Sequence, residues 1–386
     1  MTLVRGDWLS APGTQAVLGM LNEGGHQALA VGGCVRNALM GVPVEDVDIA
    51  TDAEPERVVA LAEAAGLRAV PTGIAHGTVT VVADGLGYEV TTFRRDAETF
   101  GRHARVEFGA ALEDDAARRD FTMNALYAGA DGQVIDPLGG LPDVQARRVR
   151  FVGRPEDRIT EDALRVLRFF RFLARYGDPA RPPDPDALAA CAGGVERLRH
   201  VSAERVGHEL RKLLAARNPG PAVRAMAQTG VLEAVLPGAA PEPLMRLLRI
   251  EGAQPGGWLR RLASLGGRHP ADDLRLSRAE AGDLERINRH QAAPPHEIGY
   301  RLGAELGRDA LLVGMARAGG ATLPLGWQGS LNRGAGAEFP LKPADLMPDL
   351  QGPALGAALA RAEAAWIARN FAPDAATLRS MVIPRP

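Results

Sequence analysis

The chain has 386 residues, enough for two or more domains with sizeable cores, and its 46% apolar and 24% charged fractions are those of an ordinary globular protein. Its formal net charge of -2 excludes a chain-wide attraction to nucleic acid, so any RNA-binding surface has to be a local patch. No apolar run of about 18 residues predicts a membrane span, and residues 1–10 lack the apolar core of a secretion signal. Two isolated cysteines, Cys34 and Cys191, make neither a disulfide framework nor a zinc site, so a reducing cytoplasm is expected.

The first 150 residues alternate helix and strand signals, with helices over 14–22 and 56–65. An apolar strand over 28–31 runs into the glycine turn Gly32-Gly33, and a helix over 35–40 follows. The apolar-flanked Asp46-Val47-Asp48-Ile49 reads as the next strand. Strands over 77–83 and 88–93 are separated by the hairpin-like Asp84-Gly85-Leu86-Gly87, and short strands over 125–128 and 133–135 flank Asp131-Gly132. Together they predict a mixed sheet with helices packed on it. After Arg150 the β-branched runs stop, and 154–176, 203–216 and 221–229 carry helical spacing. The loop 177–185, with four prolines, cannot continue a helix, and further breaks are expected near 237–243 and 319–337. The fold class is therefore α+β at the N-terminus, then all-α, in segments 1–150, 151–217, 218–318 and 319–386.

Several residues carry chemistry. The stretch Gly32-Gly33-Cys34-Val35-Arg36 is a glycine turn opening a helix, which makes a place for phosphates. On a strand, Asp46 and Asp48 would face the same way, and two carboxylates that close repel unless a hard divalent cation lies between them. Glu89, in Tyr88-Glu89-Val90-Thr91-Thr92-Phe93, is a third carboxylate on a strand expected near that pair. Arg118-Arg119-Asp120, with Asn124 four residues on, can bind a ribose hydroxyl and a triphosphate together. In a continuous helix, Asp162 and Arg165 are i,i+3 neighbours, with Arg168 and Arg171 extending a basic stripe. The segment 95–105, polar with one glycine, reads as a flexible loop.

The ordered set Gly-Gly-x-Val-Arg, Asp-Val-Asp-Ile-Ala-Thr, Glu-Val-Thr-Thr-Phe-Arg, Arg-Arg-Asp-Phe-Thr-Met-Asn-Ala and Glu-Asp-Ala-Leu-Arg-x-x-Arg resembles the class II tRNA nucleotidyltransferase and bacterial poly(A) polymerase family over roughly residues 28–215. The resemblance implies a polymerase-β-like nucleotidyltransferase head followed by an all-α neck, body and tail. It implies that Gly33 and Arg36 hold the incoming phosphates, and that Asp46 and Asp48 bind Mg²⁺ in a two-ion site with Glu89 in support. Arg119 and Asp120 would contact triphosphate and ribose. Asp162 and Arg165 would read the base, and Arg168 and Arg171 would complete the pocket. The implied activity is addition of C and A from CTP and ATP to the tRNA 3′ end, with the segment 95–105 helping to switch from C to A. One departure is Asn37, where the family often has aspartate.

Physics supports base reading by such a pair. Arginine only donates hydrogen bonds and ionised aspartate only accepts. Cytosine and adenine each offer a ring-nitrogen acceptor beside an amino donor, whereas uracil and guanine present the reverse order. Each unpaired buried polar group costs roughly 1–3 kcal/mol. The alternatives are a poly(A) polymerase on the same scaffold, A-only or CC-only addition, or a non-catalytic RNA-binding module. Retention of all three carboxylates argues against the last, and the ending Ile383-Pro384-Arg385-Pro386, without a basic extension, argues against a general tail polymerase. In the tail, Lys342-Pro343 and Gly352-Pro353 also resemble the family, and Trp366 reads as core.

Overall fold

The structure is a computed structural model that describes residues 1–100, 103–252, 256–320 and 323–383. It divides into two compact units, Met1–Val235 and Leu236–Pro386.

The first unit is built on a mixed seven-stranded sheet. In chain order its strands are β1 (Ala28–Val31), β2 (Asp48–Thr51), β3 (Arg68–Gly73), β4 (Thr78–Ala83) and β5 (Leu86–Thr92), with β8 (Tyr127–Ala128) and β9 (Val134–Ile135) at one edge. The spatial order is β3-β4-β5-β2-β1-β8-β9. Only β2 and β5 pair in parallel, and that register sets Asp48 directly beside Glu89. β1, the all-apolar Ala-Leu-Ala-Val, is buried on both faces, which suits a central strand. β4 and β5 meet through the two-residue turn Asp84-Gly85, with φ of 50° and 77°, the left-handed pair that a tight hairpin requires.

The strand read from Asp46 begins at Asp48, because the ladder with β1 ends at the pair Val31–Asp48. Residues 42–47, which follow the helix Gly33–Met40, have no regular structure, so Asp46 precedes the strand and the alternation argument does not apply to it. The segment read as a loop over 95–105 instead has backbone in the two-stranded hairpin β6 (Arg94–Phe100) and β7 (His103–Phe108), with Gly101 and Arg102 outside the described residues. The strand-favouring residue types Thr99 and Phe100 lie within the segment, and Val106 and Phe108 follow it. Finally, the helix expected over 154–176 is two helices, Pro155–Glu161 and Leu164–Tyr176, broken where Asp162 turns extended (φ -148°, ψ 107°).

Leu164–Tyr176 is strongly amphipathic. Leu167, Phe169 and Phe170 are buried, while Arg165, Arg168 and Arg171 lie on the other side. Phe169 stacks on Phe151 with ring centroids 5.6 Å apart, and Phe151 lies 5.0 Å from Phe121. These rings, worth about 1.5–3 kcal/mol each on burial, fix the helix against the segment that carries Asp120.

The second unit is helical. Trp366 is core, 4% exposed, among Tyr300, Phe339 and Phe371. The helix Trp327–Ala335 lies inside the stretch expected to be a break. It packs against Pro295–Leu302 so closely that a Cβ on Gly334 would lie 1.9 Å from the His296 carbonyl oxygen. Among the described residues no helix is long and apolar enough to cross a membrane.

Candidate active site

The site begins where β1 ends. Gly32 takes φ 73° and ψ -111°, a conformation that favours glycine, and its N–H donates to the Leu126 carbonyl at 3.0 Å. A Cβ there would sit 3.4 Å from Nη1 of Arg119. The turn starts the helix Gly33–Met40 and sends Arg36 inward, 5% exposed. Arg36 donates to Asn124 Oδ1, to Asn37 Oδ1 at 2.8 Å and to the Tyr176 hydroxyl at 2.7 Å, and its guanidinium lies 3.9 Å from the Tyr176 ring centroid. All of these partners are neutral. Burial therefore lowers the Arg36 pKa from its ordinary value, against the pull of Tyr176 and Asp120. Asn37 turns its other edge to the 42–47 loop, with Nδ2 donating to the Pro43 carbonyl at 2.9 Å.

A second group of arginines is held by one buried carboxylate. Asp115, 1% exposed, accepts from Arg118 Nε at 2.8 Å, Arg119 Nη2 at 2.9 Å and the Tyr127 hydroxyl at 2.7 Å. Burial opposes its ionisation, but Arg119 and Arg118 outweigh that and hold its pKa below the ordinary aspartate value. Next to it, Asp120 accepts from the Phe121 N–H at 2.9 Å, Asn124 Nδ2 at 3.0 Å and Arg168 Nε at 2.8 Å. Asn124 thus bridges Asp120 and Arg36 through opposite ends of its amide.

At the helix break the expected ion pair is replaced by two others. Asp162 Oδ1 accepts the Leu164 N–H at 3.0 Å, and Oδ2 accepts from Arg205 Nη2 at 2.7 Å. Arg165 pairs with Glu161 and donates to the Arg158 carbonyl at 3.0 Å. Because Asp162 lies outside both helices, i,i+3 geometry does not operate. The two side chains still face one space.

That space is a cavity of about 430 Å³. Of the residues singled out in the sequence, Gly33, Arg36, Asp48, Arg119, Asp120, Asn124, Asp162, Arg165 and Arg168 line it. Arg171 does not, since it pairs with Glu209 and covers Phe172, 4.7 Å from the ring centroid. Asp46 and Glu89, exposed as Asp48 also is, are not among its lining residues. Six arginines line the wall (36, 118, 119, 165, 168 and 205) against three aspartates (48, 120 and 162), so the wall favours a polyanion. Arg205 and Leu164 also line it, and neither was assigned a role from sequence. Nor was Asp115, whose five-residue spacing from Asp120 reveals little until the fold shows it buried under both arginines.

The carboxylates are the cation candidates. Asp48 is raised in pKa first by burial, then by the charge of Glu89, against Arg119, with Asp46 adding to the rise. Hard oxygen donors in mutual repulsion suit a divalent cation, so Asp48 with its neighbours fits Mg²⁺ by donor chemistry. Among the described residues no three acidic, histidine or cysteine side chains form a ready-made metal cluster.

The family described as Poly A polymerase head domain matches residues 28–150, and that described as Probable RNA and SrmB- binding site of polymerase A matches 183–242. The CCA-adding enzyme of Bacillus subtilis (strain 168) is 44% identical over 224 residues, 58% of this chain and 54% of the relative. CCA tRNA nucleotidyltransferase 1, mitochondrial, of Homo sapiens is 39% identical over 207 residues, 53% of this chain and 48% of the relative. The solved structure of the Bacillus stearothermophilus CCA-adding enzyme in complex with CTP is 31% identical, with a TM-score of 0.72 over 93% of each chain. The chain belongs to the CCA-adding enzyme family. It spans about half the length of the curated relatives it matches. The Poly A polymerase head domain match contains the glycine turn, Asp48, Glu89 and Asp120, and the second match contains Arg205, while Asp162 and Arg165 fall between the two.

Proposed function

We propose that the chain adds C and A, from CTP and ATP, to the 3′ end of tRNA and releases pyrophosphate. The observation that carries this reading is the single cavity that joins Asp48, an arginine-rich wall and the Asp162/Arg165 pair.

The residues divide the work. Gly33, Arg36 and Arg119 hold the triphosphate, and Arg36 suits the role because its protein partners are uncharged and leave its charge to the ligand. Asp120, fixed by Arg168 and Asn124, orients the ribose side. Arg171 acts from behind, by keeping Glu209 neutralised beside Arg168. Asp162 and Arg165 read the base edge. Guanidinium has five donors and ionised aspartate about four acceptor sites, so each keeps capacity beyond its contacts with Arg205 and Glu161. Asp46 and Asp48 would hold Mg²⁺, with Glu89 as supporting carboxylate. When bound, the metal would lower the pKa of the RNA 3′-hydroxyl and neutralise charge on the phosphates. What falls to the protein is positioning and charge neutralisation.

The segments 1–150, 151–217, 218–318 and 319–386 are proposed as catalytic head, base-reading neck, body and tRNA-binding tail, in an enzyme of the cytoplasm. The test is to offer tRNAs ending before the first C, the second C and the terminal A, each with one nucleoside triphosphate and Mg²⁺. Sequenced products should show C, C and A in turn and no U or G. Runs of A on any RNA would support a poly(A) polymerase, C on the first two acceptors with nothing on the third would support CC-only addition, A on the third alone would support A-only addition, and no addition would leave a binding module.

A further inference from the structure

The cavity reads its ligand's edges with charge, but a nucleobase also has two faces. Among the residues that line the space only Leu164 is a large apolar side chain; the rest are glycines, arginines, aspartates and one asparagine. Leu164 is 7% exposed, so its packing within the unit fixes its position while one side remains open to the cavity. It is the first residue of the helix Leu164–Tyr176, and its N–H is held by Asp162 Oδ1 at 3.0 Å. The N–H of the next residue, Arg165, donates to the Asp162 carbonyl at 3.0 Å. The apolar side chain is thereby set at a fixed spacing between the acceptor and the donor that face the base edge.

We propose that Leu164 is a positioning residue for the incoming nucleotide, the surface against which one face of the nucleobase lies while Asp162 and Arg165 meet its edge. This deepens the function proposed above and rests on it. A planar base of any identity has an apolar face, so this contact contributes affinity and coplanarity and leaves the choice among bases to the charged pair. An aliphatic side chain also accommodates both a pyrimidine and a purine without demanding one ring size. That suits a site that takes C and then A.

The experiment compares wild type with Leu164→Ala, Leu164→Val and Leu164→Met. It measures KM and kcat for CTP and ATP, the inhibition constant of inorganic tripolyphosphate, and the products formed with UTP and GTP. Removing the apolar surface in Leu164→Ala should raise KM for both nucleotides about tenfold, as loss of apolar contact in a binding pocket does. Tripolyphosphate inhibition should stay unchanged, because that probe has no base, and U and G should remain excluded. Leu164→Met should behave nearly as wild type, and Leu164→Val should move KM in the same direction as alanine by less. If Leu164→Ala does not fold, the valine variant decides the matter on the same readouts. An unchanged KM in a folded variant overturns the inference. So does an equal loss of nucleotide and tripolyphosphate affinity, which would mark a general collapse of the cavity. Failure of wild type to add C and A would instead overturn the proposed function, and the two failures are thus separable.

Discussion

Asp48→Asn should reduce nucleotide addition by about a thousandfold or more, equivalent to about 4 kcal/mol of barrier, while tRNA binding and thermal stability hold. Asp48 is the one cation candidate that lines the cavity, and the parallel register of β2 and β5 places Glu89 beside it. An asparagine keeps the shape and one oxygen but loses the charge that makes a hard divalent cation bind there. Stability should not fall, because the change removes a charge from a group of mutually repelling carboxylates. Initial rates with a saturating tRNA, a filter-binding isotherm and a melting curve measure the three quantities. Near-wild-type rates would remove Asp48 from the chemistry. Asp46→Ala should also abolish addition with tRNA binding largely intact, even though Asp46 stands on the loop before the strand.

The largest loss of stability should come from Asp120→Ala, about 2–3 kcal/mol. Breaking a buried ion pair costs roughly 3–5 kcal/mol, and the lower figure applies because the Arg168 side chain, 33% exposed, can recover some solvation. The damage should spread to function, since Asn124 loses an acceptor and with it the fixed orientation that holds Arg36. Denaturant unfolding and nucleotide KM should therefore worsen together. The pH dependence has a definite sign. Burial opposes ionisation of Asp120, but Arg168 and the hydrogen bonds from Asn124 and Phe121 outweigh it and hold its pKa below the ordinary aspartate value. Its contribution is then complete above about pH 4 and is lost as pH falls through the depressed value. Unfolding of wild type and Asp120→Asn at pH 7 and at pH 3 should show a gap that narrows on acidification. A gap that widens would refute the assigned protonation.

Much of this was legible from residue order alone. The β1 strand, the glycine turn, the helix after it and the paired arginines carry local signals strong enough to survive tertiary context. Nine of the twelve residues singled out in the sequence line the one cavity. What failed had physical causes. Helical periodicity could not reveal that Asp162 would leave the helix, because a single extended residue that accepts the next turn's N–H interrupts a pattern without changing it. Asp46 looked like a strand residue because period-2 spacing holds whether or not a partner strand reaches that far. Polarity over 95–105 suggested a loop, although a hairpin needs only backbone partners and a few β-formers. Arg171 continued the basic stripe in sequence but points to a carboxylate on another helix, Glu209 on Ala203–Leu214, which only the tertiary fold could disclose. Arg205, on that same helix, was invisible for the same reason.

The central claim is that side chains, and no nucleic-acid template, choose the nucleotide. Arg165→Ala tests it most directly, since it removes the guanidinium that would donate to the base while Glu161 and Arg158 remain for the fold. Single-turnover addition to tRNA lacking its terminal A, with each of the four nucleoside triphosphates, should show U and G entering at rates comparable to the residual rate for A. Strict selection of A, retained at any reduced rate, would contradict the assignment.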